Sequence, residues 1–153
     1  MLAFVTVLCV AVGWNAELAR RQRVAVEWVR DYGGSVVYDH ERPVLYGPAR
    51  MAEPKWLRDL IGVDFFHNVV AVWLNHNEVD DLAPVATLHS LTSLGISAAV
   101  NPDVDVSVLC ALRQLKELHL HHTGIKQDRL KPVREALPAC RIISETDPAI
   151  EWP

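Results

Sequence analysis

His119, His121 and His122 are the first residues to consider for chemistry, because imidazoles two apart on a strand share one face and can meet a single ion. A metal site needs a third and a fourth ligand, and the sequence near that strand supplies only Glu117 with Asn75, Ser97 or His76 in neighbouring rows. The expectation is therefore polar strand residues facing solvent, with no metal and no cofactor. Three cysteines at positions 9, 110 and 140 have no CxxC spacing, which indicates neither a disulfide framework nor a zinc knuckle. A cysteine nucleophile would need an imidazole and an oxyanion site beside it, and an inward-facing Cys140 could not present its sulfur to substrate. No Gly-rich phosphate loop, GxSxG elbow or HExxH is present, so the chain is expected not to be an enzyme. Trp73 carries the remaining interest. It is either an interface anchor on an open strand or an indole packed sideways on arginine or loop residues.

The elements that must hold these residues repeat. Val69-x-x-Val72-x-Leu74 is followed by Leu91-x-x-Leu94-x-Ile96, then Leu115-x-x-Leu118-x-Leu120, then Leu137-x-x-Cys140-x-Ile142, at offsets of 22, 24 and 22 residues. This is leucine-rich-repeat spacing. The fourth and sixth positions of each unit point inward by strand alternation, and the ninth (Asn77, Ala99, Thr123) turns the chain out of the strand. Each return stretch has its own apolar set, such as Leu82, Val85 and Leu88, suited to a short helix or 3₁₀ turn on the convex side. Four in-phase units predict an α/β repeat: a short leucine-rich-repeat solenoid with a parallel sheet of about four strands, over residues 69–145. An α/β domain of alternating strands and helices is the competing reading. Outward rows would then hold Ala71, Ser93, Glu117 and Ala139; Trp73, Gly95, His119 and Arg141; and Asn75, Ser97, His121 and Ile143.

Ahead of the repeats, Met1–Trp14 is a run of fourteen uncharged residues. A bilayer-spanning helix needs about 20 apolar residues. The run reads as a single-pass N-terminal membrane anchor, with a cleaved signal peptide (a secreted or periplasmic product) and a core element as alternatives. Arg20, Arg21 and Arg23 follow as an interfacial flank. Residues 15–68 are expected to hold a linker helix ended by Gly33-Gly34, a short strand at Ser35–Tyr38, a Pro-rich loop from Asp39 to Glu53 and a capping helix from Pro54. Residues 146–153 form a tail.

At 153 residues, 50% of them hydrophobic, the chain has room for one modest domain and is too apolar to be disordered. The charges are unevenly placed. Residues 1–68 carry eight basic and eight acidic side chains, while 69–153 carry seven and eleven, so the net −4 lies wholly in residues 69–153, the repeats with the tail. An acidic array is a poor partner for phosphate, and nucleic acid is excluded as the expected ligand.

The pieces VAVEWVRDYGGSVVY (24–38), PKWLRDLIGVDFF (54–66) and LKPVREALPACRI (130–142), together with the opening hydrophobic segment, resemble short leucine-rich-repeat proteins of planctomycete-type bacteria. The resemblance covers nearly the whole chain. Unlike that family, the chain has no basic stretch before its hydrophobic segment, and its post-strand turns are degraded to Asn101-Pro102-Asp103 and Lys126-Gln127-Asp128. It implies a non-enzymatic module that binds another protein. The residues expected to do so on the concave sheet are Trp73, Asn75, Glu117, His119, His121 and Arg141. The alternative is a structural envelope or surface protein that self-associates without a dedicated ligand.

Overall fold

The computed structural model describes residues 2–39, 62, 67–75 and 78–144, with side chains from residue 13 onward. The Pro-rich loop, the capping helix, His76, Asn77 and the tail lie outside the described residues.

Alternating apolar residues at Val72/Leu74, Leu94/Ile96 and Leu118/Leu120 form the inner face of three neighbouring strands: β2 (Val69–Leu74), β3 (Ser93–Ile96) and β4 (Glu117–Leu120). With β1 (Ser35–Tyr38) and β5 (Arg141–Ser144) they build a five-stranded sheet in the order β1-β2-β3-β4-β5. The strands β2 to β5 are parallel, whereas β1 pairs antiparallel with β2, Ser35 against Trp73 and Val36 against Val72. This corrects the expected leucine-rich-repeat solenoid with a parallel sheet of about four strands. The structure is an α/β domain on a five-stranded mixed sheet. The recurring apolar triplets set the parallel strands, but they are silent about Ser35–Tyr38. That segment joins the sheet because a tight turn folds it straight back from the helix before it.

That helix, α1, runs from Leu2 to Asp31. Its end is a Schellman closure: Gly33 N–H donates to the Arg30 carbonyl at 2.9 Å and Gly34 N–H to the Val29 carbonyl at 2.8 Å. Gly33 holds φ +68°, the left-handed conformation the closure requires. Gly34 answers a different demand, since a Cβ there would lie 2.7 Å from the Trp73 carbonyl oxygen and 2.8 Å from Val29 Cγ1. Two adjacent glycines thus turn the chain and let β1 close on β2.

Among the described residues, no helix is long and apolar enough to cross a membrane. The single-pass anchor, the transmembrane helix and the membrane localisation expected from Met1–Trp14 are corrected accordingly. The uncharged run stops at Trp14, and the same helix continues into Glu17, Arg20, Arg21 and Arg23. Its later turns belong to the domain: Ala25, Val26 and Val29 are buried, and Trp28 and Tyr32 pack against the core with ring centroids 4.5 Å apart.

The returns between parallel strands differ in kind. They are α2 (Ala83–Ala86, with Pro84 in its first turn), a 3₁₀ helix (Val106–Ala111) and α3 (Gln127–Ala136). Asp105 starts the 3₁₀ helix, its carboxylate accepting from the Ser107 N–H at 2.9 Å and the Ser107 hydroxyl at 2.6 Å. Those bonds hold the Asp105 carboxyl below its ordinary pKa, the side-chain bond foremost. The guanidinium of Arg129 on α3 donates to the Pro102 and Val104 carbonyls and ties the third return to the second. All three put apolar residues over the inner face. Leu82, Val85, Leu109, Leu112, Leu130 and Val133 are buried with Leu94, Ile96, Leu118 and Leu120 in one continuous core. Each such side chain contributes about 1.5–3 kcal/mol on burial.

Candidate functional site

Residue register across the parallel strands decides which side chains meet on the outer face. Ala71 pairs with Ser93, Ser93 with Glu117, and Glu117 with Arg141. Trp73 pairs with Gly95, Gly95 with His119, and His119 with Ile143. The first three strands fall in the rows expected from the repeat. The fourth does not, being two residues out of step: Arg141 stands beside Glu117 rather than His119. The backbone shows why. Leu91 N–H bonds the Leu88 carbonyl, Leu115 N–H bonds Leu112, and Cys140 N–H bonds Leu137. Leu137 therefore takes the place of Leu88 and Leu112, and Cys140 that of Leu91 and Leu115. The last two returns, residues 97–116 and 121–140, are equally long, so β5 follows β4 at the spacing by which β4 follows β3 and starts at Arg141 rather than at Leu137 or Cys140.

The same displacement removes Cys140 from the inward strand position expected of it. It sits half-buried just before β5, where burial pushes its thiol pKa up and the Glu117 carboxylate adds to that push. A thiol so placed is short of thiolate, the form that acts as nucleophile. Cys110 is also partly exposed, its Sγ 3.6 Å from the Pro132 carbonyl.

The most developed part of the outer face is aromatic. Gly95 has no side chain, and the Trp73 indole lies in the space this leaves: a Cβ on Gly95 would be 2.0 Å from Trp73 Cε3 and 2.3 Å from Cζ3. Seated across β3, the indole reaches the imidazole of His119, with ring centroids 5.5 Å apart and planes at 42°. His121 continues the line, its ring 6.4 Å from that of His119 and stacked at 28°. Its position is fixed by its own N–H, which bonds the Ile96 carbonyl at 2.8 Å. Beside this track, Glu117 Oε2 stands 3.8 Å from His119 Nε2, and Arg141 is the next residue across the sheet.

Exposure grades across the face. Ala71, Ser93 and Gly95 are buried, Trp73, His119 and His121 are half-buried, and Asn75, Glu117 and Arg141 are exposed. Trp73 packs over Gly95 and against His119 rather than on arginine or loop residues, and it keeps access to solvent. The residue that sequence reasoning missed is Gly95. A glycine inside a strand marks a place where something approaches closely, and that signal was present. Among the described residues, no group of three His, Cys, Asp or Glu side chains is placed to hold a metal ion. His122 lies apart from His119 and His121, in the turn after β4 with φ +56°.

What the arrangement offers chemically is recognition: an aromatic shelf for stacking or apolar contact, an acceptor at Glu117 and a donor fork at Arg141. No protein-family model matches the chain, and no curated protein matches it.

Proposed function

We propose that the chain is a non-enzymatic binding module that takes another protein on the outer face of its sheet, through Trp73, Asn75, Glu117, His119, His121 and Arg141. The observation that carries this reading is the Trp73 indole lying over Gly95 and against His119. A half-buried, positioned indole loses little side-chain freedom on binding, which is how interface hot spots gain their energy. The mixed charge of Glu117 and Arg141 beside it suits a polar rim.

The test compares partner recovery by the wild-type chain with recovery by a Trp73→Ala, His121→Ala double variant, after thermal melting has shown both to be folded. Loss of one recovered protein from the variant, and of that protein only, is the expected outcome. Equal recovery of every protein would remove the outer face from consideration.

A further inference from the structure

The free flank of α1 shows a second interaction surface, independent of the outer sheet face. Trp14, Glu17, Arg21 and Val24 are spaced i, i+3, i+7 and i+10, the a/d repeat that keeps one seam of a helix in register with another helix. Carried toward the N-terminus, the register falls on Val10, Val7 and Ala3 in the sequence, all apolar. The adjoining face of the helix is spent on the domain through Ala19, Ala25, Val26 and Val29. On the seam, Trp14 is 71% and Val24 54% exposed, and these are the large apolar side chains left most open among the described residues. Next to Val24 lies a groove of about 340 Å³, its floor formed by Val24, Ala25, Ala83 and Pro84 and its rim by Arg20, Arg21, Asp81 and Thr87.

Charge selects the occupant. The polar positions inside the seam are Glu17 and Arg21, one turn apart and of opposite sign. If a second copy of the helix runs antiparallel and crosses at the level of Ala19, Glu17 of each copy faces Arg21 of the other. The same crossing sets Trp14 of each copy opposite Val24 of the other, where the groove lies. A parallel pairing would oppose Glu17 to Glu17 and Arg21 to Arg21, which is repulsive. Within one chain Glu17 already bonds Arg20 at 2.9 Å and Arg21 at 2.8 Å. Exposed pairs of this kind contribute little, so exchanging one of them for a contact across the seam costs little. We propose that two copies of the chain associate through an antiparallel α1–α1 seam in which Trp14 of each fills the groove beside Val24 of the other and Glu17 meets Arg21.

Sedimentation of the full-length chain at low salt tests this. The wild type is expected to show a concentration-dependent dimer. Glu17→Arg and Arg21→Glu, each creating two like-charge crossings, are expected to weaken association about a hundredfold or more. The Glu17→Arg, Arg21→Glu double variant restores opposite charge and is expected to recover the dimer. An equimolar mixture of the two single variants is expected to associate although neither does alone. A wild type that stays monomeric throughout, single variants that associate like wild type, or a double variant and mixture that both remain monomeric would each overturn the proposal.

Discussion

The two faces of the sheet are built from the same strands and follow opposite rules. The inner face carries Leu94, Ile96, Leu118 and Leu120, none more than 1% exposed, under a lid of three short helical elements. The outer face carries a tryptophan, two imidazoles and a charged edge of Glu117 and Arg141, with exposure rising from buried Ser93 to open Arg141. On the inner face each position is filled by its own side chain. On the outer face Trp73 occupies space that belongs to Gly95, so one residue's identity sets its neighbour's position. Each inner position therefore depends on its own side chain, while the outer face depends on one pair.

The largest effect separating the faces is expected from truncating the inner one. Leu118→Ala removes a fully buried side chain from β4, an interior strand of the parallel set. A loss of about 2–5 kcal/mol in denaturant unfolding is expected, the usual range for a buried leucine with its cavity. A loss under ~1 kcal/mol would mean that this face collapses around the gap and that the contrast drawn here is too sharp.

Gly95→Ala comes next and probes the outer face by addition rather than removal. Its methyl would lie 2.0 Å from Trp73 Cε3, so the indole must leave its seat. The expected cost is about 1–3 kcal/mol, typical of overpacking, with a red shift of tryptophan emission. Adding Trp73→Ala to Gly95→Ala should recover much of that cost, because the clash has a single partner. If the single variant is as stable as wild type with unchanged emission, the indole is not seated on β3. Smaller again is Arg141→Ala, an exposed side chain at the edge of the same face. Its melting point should stay within the range of a change of about 0.5 kcal/mol, while recovery of any protein that depends on Trp73 should fall. A variant that lowers neither binding nor stability would take Arg141 out of the rim.

The inner face was the more legible of the two in the sequence. Alternation at Val72/Leu74, Leu94/Ile96 and Leu118/Leu120 is a strong local signal, and Gly33-Gly34 marked the end of α1 to within a residue. What the repeat obscured was long-range. The pairing of Ser35–Tyr38 with β2 depends on contacts between distant segments, and nothing in SVVY alone states its partner or direction. The slip in the fourth strand has a similar origin. Leu137 and Cys140 fit the leucine spacing, but they lie in the turn before β5, and spacing alone does not say which apolar residues belong to a turn and which to a strand. The uncharged Met1–Trp14 run misled for another reason, since a run of fourteen was read as an anchor although a span needs about 20 apolar residues and the same helix turns charged from Glu17. On the outer face, the rows of Trp73, Asn75, Glu117, His119 and His121 followed from alternation. The seating of Trp73 on Gly95 needed the register as well as the pattern.

The smallest expected effect concerns the same contrast carried over to α1, between the side buried against the domain and the side left to water. Glu17 lies on the water side, where hydrogen bonds from Arg20 first and Arg21 second lower its pKa from the ordinary 4.5 to about 2. A carboxyl depressed in the folded state contributes stability above its unfolded pKa and loses it as the pH falls through the folded value. The contribution of Glu17 is therefore complete above about pH 4.5 and is lost progressively toward about pH 2. Comparing wild type with Glu17→Gln on dilute protein isolates it, because every other carboxylate titrates alike in both chains. The wild type should melt slightly higher at neutral pH, and the two curves should converge as the pH approaches 2. Raising the salt should narrow the neutral-pH gap as well, since the pair is at the surface and screened. A gap that persists unchanged at the acid end would show that Glu17 stabilises α1 by something other than its charge, and the α1 seam would then lose the electrostatic argument for its direction.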